Sequence, residues 1–209
     1  MFQIASAPKP RWKHLSHRRL QTWPSDLTKN TLLEESLPKW LVEPVITRLL
    51  QLQCSVSPEG GHIFSGSPHR VPNHVLINEY LPNQGIMAHK DGSAYHPVVC
   101  TVSLGASLCL DIYGTKSDGT IATEPSWKIL QEPRSLLITA DELYTEYLHG
   151  IAEVDADVNL SPMTVANWDL LRSPEAIIEG RNEREVRISL TYRDVIKVSK
   201  LGGRMFGKR

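Results

Sequence analysis

Five short runs, HVLINEY (74–80), VVCTVSL (98–104), SLCLDIY (107–113), WKIL (127–130) and SLLIT (135–139), are rich in β-branched and apolar residues and are punctuated by Gly, Pro, Asn and Asp. They read as strands, because branched side chains suit a pleated surface and turn residues end each run. Parallel neighbours would need crossovers of a dozen or more residues, usually helical. The stretches between these runs offer none, so the strands are expected to pair antiparallel. A late run, VRISLTYRDV (186–195), adds one more strand. The expected fold class is mainly β with flanking helices, an antiparallel sandwich or barrel of the jelly-roll type.

The flanks are less regular. Leu41, Val45, Ile46, Leu49 and Leu50 recur at helical spacing in PKWLVEPVITRLLQL. Pro44 is tolerated only in a first turn, so that helix either starts near Glu43 or kinks there. DELYTEYLHG reads as a short helical turn ending at a glycine. The polar stretch at about 155–183 is a long irregular loop, the kind that is either functional or poorly ordered. With 209 residues, no repeat and no convincing linker, the chain is expected to form a single domain, 1–209.

Composition excludes several classes. Hydrophobic residues at 41% and charged residues at 22% describe an ordinary soluble globular protein, not a disordered or fibrous one. No apolar run approaches the ~20 residues that span a bilayer, and the N-terminus lacks a secretory apolar core. A soluble protein of cytoplasm and nucleus, with no membrane partner, is the expectation. Cys54, Cys100 and Cys109 lack CxxC spacing, which argues against a disulfide framework or a thiolate zinc site and for buried thiols.

Within GIMAHKDGSAYHP (85–97), His89 and Asp91 stand two apart, so in extended chain both point to one side. A second histidine would complete the 2-His-1-carboxylate set that holds non-haem Fe(II) on one face and leaves the other open. His149, in YLHGI, follows a strand run at the far end of the β zone and is the best candidate; His96, His74, His62 and His69 compete. Arg187 and Arg193 share a strand face with Ser189 and Thr191, as do Asn78 and Tyr80 with each other. Two guanidiniums, an amide and a phenol projecting inward make a poor core but a good pocket for a small dianion, because Arg grips carboxylates bidentately.

Taken in order, NHVLINEYLPNQGIMAHKDG, VSLG, SLLIT…YLHGI and RISLTYR resemble the AlkB-like Fe(II)- and 2-oxoglutarate-dependent dioxygenases, whose pattern N-x-Y-x-P, H-x-D, distal H and R-x5-R covers about residues 73–195. APKPRWKHLSHRRLQ, the HxDG variant, VSLGASLCLDIY, EPRSLLI and LHGI resemble most the family's sixth eukaryotic branch, over nearly the whole chain except about 155–183. The resemblance implies a double-stranded β-helix, cupin-like, with a lid and helix in 1–60, a catalytic core in 73–195 and a basic tail in 196–209. It implies Fe(II) on His89, Asp91 and His149, and 2-oxoglutarate and O2 as cosubstrates. It places Arg187 with Tyr80 on the distal carboxylate of 2-oxoglutarate, and Arg193 with Asn78 nearer the chelating end. Ser189 stands where the family commonly carries Asn, so one hydrogen bond at the cosubstrate pocket is expected to be shorter in reach or taken by water. Family members hydroxylate N-methyl groups on nucleobases, which leave as formaldehyde, while others act on protein side chains or fatty acids. The chain also begins inside a segment resembling FxxAPKPxW, so an upstream strand and helix of related proteins are expected to be missing, which would leave a sheet edge unpaired.

Charge adds a partner. Residues 1–25 carry five Lys/Arg and no acid, residues 181–209 nine against three, and residues 26–180 nine against twenty, so basic ends flank an acidic middle. RWKHLSHRRLQTW interleaves Trp12 and Trp23 with Arg11, Lys13, Arg18 and Arg19, a mixture suited to phosphate neutralisation and base stacking. Trp12, Arg18 and Arg19, with the basic tail, are the expected contacts to nucleic acid, single strands favoured over duplex. The alternatives are a dioxygenase acting on protein or a small molecule, and a non-catalytic nucleic-acid-binding module.

Overall fold

A computed structural model describes residues 2–6, 11–52, 61–116 and 118–200. Cys54 and most of the basic tail lie outside the described residues. The strands are β1 (Lys13–Leu15), β2 (Arg18–Trp23), β3 (Thr31–Leu33), β4 (His74–Tyr80), β5 (Ile86–His89), β6 (Tyr95–Gly105) and β7 (Leu108–Tyr113). They continue as β8 (Trp127–Gln131), β9 (Leu136–Ala140), β10 (Leu148–Ile151), β11 (Ala156–Asp157), β12 (Asn182–Glu183), β13 (Arg187–Val195) and β14 (Lys197–Ser199). Each run read as a strand from the sequence forms one.

Six strands make the larger sheet, in the order β1-β2-β4-β13-β6-β9, and four make the smaller, β5-β10-β7-β8. Every pairing in both is antiparallel, as the missing crossovers require. The two sheets face each other across a cavity, and the architecture is a jelly roll. β13 lies inside the larger sheet and is buried along its whole length. Its alternation divides two environments: Arg187, Ser189, Thr191 and Arg193 face the cavity, while Ile188, Leu190 and Tyr192 face the main apolar core with Leu41, Leu49 and Phe64. The Tyr192 hydroxyl ties the helical segment to this core by donating to the Leu41 carbonyl at 3.0 Å.

That helical segment is broken at the proline. Lys39–Leu41 and Thr47–Leu49 are helical on either side of Val42–Ile46, within which Glu43 is extended at φ −107°, ψ 131°. A residue before proline is pushed out of the α region by the pyrrolidine ring, so the helix stops and restarts. The 141–150 segment corrects another expectation. Its helix covers Asp141–Thr145, but Gly150 lies inside β10 and ends no helix. A Cβ there would come within 3.1 Å of the Ala88 nitrogen and the Ile86 oxygen, so β5 can approach only a glycine.

The long loop follows a defined path. Leu160 and Val165 pack on Cys109 and Leu130 over the outer face of the smaller sheet. Beneath them Arg184 pairs with Asp157, Nη2 to Oδ1 at 2.6 Å, with both side chains buried. Cys100 and Cys109 are buried thiols, as expected. No helix among the described residues is long and apolar enough to cross a membrane.

Candidate active site

The cavity between the sheets measures about 230 Å³ and is lined by residues from both. His89 ends β5 and His149 lies on β10, and the two are direct partners across the ladder. Their ring centroids are 4.5 Å apart. Nδ1 of His89 lies 2.9 Å from the Met87 carbonyl. A carbonyl can only accept, so Nδ1 carries a proton, and in the neutral ring Nε2 is the nitrogen with the lone pair. Burial, helped by His89 and Arg193 and opposed by Asp91, lowers the His149 pKa to about 4, so this imidazole is neutral and able to donate to a metal at neutral pH. The competing histidines His62, His69, His74 and His96 do not line the cavity: His69 pairs with Asp194, His62 accepts from the Phe64 amide, and His74 lies opposite Arg193 in register.

Asp91 departs from the extended-chain reading, because β5 ends at His89 and Asp91 stands in the loop beyond it. Its carboxylate still faces the cavity, where Oδ1 accepts from Nη2 of Arg193 in a buried ion pair. With Asp91 turned to that guanidinium, no three His, Cys, Asp or Glu donors among the described residues already converge as a metal cage. The donor types nevertheless fit Fe(II): two neighbouring imidazoles and a carboxylate.

Arg187 is 2% exposed. Its Nε and Nη2 donate to Ser103 Oγ at 3.2 and 2.7 Å, and Nη2 donates to Gln131 Oε1. Tyr80 lies opposite it in register, with the guanidinium carbon 5.8 Å from the ring centroid. Burial lowers the Arg187 pKa to about 10, which still leaves it charged at neutral pH. A buried cation with only a hydroxyl and an amide as hydrogen-bond partners is uncompensated, and an anionic carboxylate fits it. Arg193 likewise has a buried Nε without a hydrogen bond. Ser189 sits between Asn78 and Ser103 in register and lines the same wall.

One expectation about partners changes, and one partner is added. Asn78 and Arg193 both line the cavity, and Asn78 Oδ1 also accepts from Nε of Arg18 at 3.1 Å. β2 lies beside β4, so Arg18 reaches over the cavity wall. Trp12 is no stacking platform. It is 8% exposed and part of the main core, with the Arg19 guanidinium 4.2 Å from its ring. Arg19 in turn forks onto Glu79 at 2.6 and 2.9 Å. Indole burial and a bidentate pair outcompete exposure to solvent. Ser103 and Gln131 escaped the sequence reading. Gln131 could have been noticed, since it follows Ile129 by two and puts an amide where the alternation calls for an apolar side chain.

The sequence from residue 3 to 193 matches the model of the 2OG-Fe(II) oxygenase superfamily. The chain belongs to that superfamily. As a 2OG-Fe(II) oxygenase it uses Fe(II), 2-oxoglutarate and O2. It is 38% identical over 202 residues to a zebrafish (Danio rerio) protein, probable RNA/DNA demethylase ALKBH6, across 94% of this chain and 79% of that one. It is 30% identical to protein L905 of Acanthamoeba polyphaga mimivirus over 60% of this chain and 50% of the viral one. Among solved structures, OsALKBH1 superposes with a TM-score of 0.54 at 17% identity, covering 92% of this chain and 88% of that one, a likeness of fold.

Proposed function

We propose that this oxygenase removes N-methyl groups from nucleic acid, with His89, Asp91 and His149 holding Fe(II) and Arg187 holding the far carboxylate of 2-oxoglutarate. The observation that carries the reading is the pairing, across one cavity, of the His89–His149 rung with a buried Arg187 that has no anionic partner among the described residues. When bound, Fe(II) with 2-oxoglutarate and O2 supplies the oxidant: the cosubstrate gives succinate and CO2, and an N-methyl C–H becomes C–OH, which leaves as formaldehyde.

The chain's own part is positioning. Ser103 and Gln131 fix the plane of the Arg187 fork, so that a carboxylate docks in one orientation. The Met87 carbonyl holds His89 in the tautomer that presents Nε2. Arg193 fixes the Asp91 carboxylate at the cavity wall. Leu110, Ile112 and Ile151 provide apolar wall that excludes water.

Charge and kinship support the substrate class. Arg18, Lys90, Arg187 and Arg193 line the cavity against one carboxylate, Asp91. Fe(II) and the cosubstrate dianion balance each other, so positive charge remains for an anionic substrate. The zebrafish relative is named for RNA/DNA demethylation. The test is anaerobic loading with Fe(II) and 2-oxoglutarate, then oxygenation with and without single-stranded oligonucleotides carrying N-methylated bases. Succinate release coupled to formaldehyde is expected. Succinate without formaldehyde from every oligonucleotide, with coupling restored by a protein or small molecule, would move the substrate out of nucleic acid.

A further inference from the structure

Across the smaller sheet the register runs His89 to His149, His149 to Ile112, and Ile112 to Trp127. Residues directly opposite in an antiparallel ladder project to the same face. These four side chains therefore form one rung on the face that lines the cavity. With strands ~4.8 Å apart, Trp127 stands two strands, about 10 Å, from His149. Ile112 between them is 3% exposed, yet Trp127 is 45% exposed.

The indole is held in place. Tyr147, the residue before β10, packs on it with ring centroids 5.0 Å apart and planes inclined by 56°. The other tryptophans are buried or partly buried. Trp12 belongs to the core, and Trp23 packs edge-on against Trp40 with Arg11 over its face.

We infer that Trp127, braced by Tyr147, is the stacking platform for a base of the nucleic-acid substrate at the mouth of the active site. This rests on the nucleic-acid reading above. A cavity with surplus positive charge gathers phosphates without regard to sequence, and a fixed aromatic face then orders a base against the rung that carries His89 and His149. Lys90, from the loop between His89 and Asp91, donates to the Thr145 carbonyl at 2.6 Å and ties that loop to the segment that leads into Tyr147. Platform and candidate metal site are thereby joined through the backbone.

The experiment uses the full chain and measures anisotropy of fluorescein-labelled single-stranded RNA and DNA, each beside a strand of equal length made of abasic units. Trp127→Leu keeps apolar volume without a π face, and Trp127→Phe keeps a face. Leu should weaken binding of the base-bearing strands by roughly ten-fold, and Phe by much less, while binding of abasic strands stays unchanged in both. Fe(II)-dependent binding of 2-oxoglutarate should be equal in all three proteins. Wild-type binding matched by Trp127→Leu on base-bearing strands overturns the platform and leaves the substrate class standing. Absence of wild-type binding to any strand at low salt overturns the nucleic-acid reading itself, and the platform with it.

Discussion

At the scale of single residues, two buried cationic or ionisable groups set measurable behaviour. Arg187 holds its charge against burial with two neutral partners. Lysine there would keep a charge but lose the fork, so Arg187→Lys is expected to raise the 2-oxoglutarate requirement by at least about ten-fold, the cost of roughly one charge-assisted hydrogen bond. Titration of uncoupled succinate formation against cosubstrate reads this directly, and an unchanged requirement removes Arg187 from the cosubstrate site. His74 is 1% exposed. Burial, with the Arg193 charge adding to it, lowers its pKa from the ordinary 6.5 to about 4. Below pH 6.5 the unfolded chain takes up a proton that the folded imidazole refuses. Stability is therefore full above the unfolded value and is lost as pH falls towards 4, by up to ~3 kcal/mol from this group. His149 acts with the same sign. Trends in urea midpoint between pH 6.5 and 4 should be shallower in His74→Phe than in wild type; identical slopes would show that His74 is not among the groups responsible.

At the scale of elements, the Asp157–Arg184 pair carries the long loop. Oδ2 of Asp157 also accepts from the Cys109 amide at 3.2 Å and from Asn182 at 3.1 Å, so one carboxylate joins β7, β11 and β12. Asp157→Ala would leave a buried guanidinium unpaired and is expected to cost ~3–5 kcal/mol. Hydrogen exchange should quicken first over 156–183, and equal protection in mutant and wild type there would show that the loop holds by its apolar contacts alone. The loop's order could not be read from the sequence, because its anchors are long-range: Asp157 to Arg184, and Leu160 and Val165 to strands roughly thirty to fifty residues upstream. The strands were legible for the opposite reason. β-branched and apolar enrichment between turn residues is local, and β4, β6, β7, β8, β9 and β13 all fall on the runs that display it. The inward pairs Asn78–Tyr80 and Arg187–Arg193 were legible because residues an even number apart in a strand share a face. Asp91 was misplaced because a strand end is not written in a two-residue spacing. Trp12 was misassigned because an indole beside arginines looks alike whether it stacks on a base or on its own neighbour Arg19.

At the scale of the whole molecule, the structure sorts the N-terminal arginines that the sequence treats as equivalent. Arg18 and Arg19 are consecutive in β2 and project to opposite faces. Arg18 turns into the cavity and donates to the neutral Asn78 oxygen, whereas Arg19 is matched by Glu79 on the other side. A cation already neutralised by a carboxylate releases few counterions when a phosphate approaches. Salt dependence of nucleic-acid binding should therefore separate the two. Arg18→Ala is expected to weaken binding to all sequences about equally and to flatten the slope of log affinity against log salt by ~1, one phosphate contact. Arg19→Ala should leave that slope unchanged and instead lower the melting temperature, since it strands the Glu79 carboxylate, 9% exposed, without its partner. Anisotropy across a salt series, together with thermal unfolding of both variants, distinguishes these outcomes. Equal flattening by both substitutions would mean that the Arg19–Glu79 pair opens when nucleic acid binds. Flattening by neither would place the phosphate contacts elsewhere on the surface, away from the cavity that holds His89 and His149.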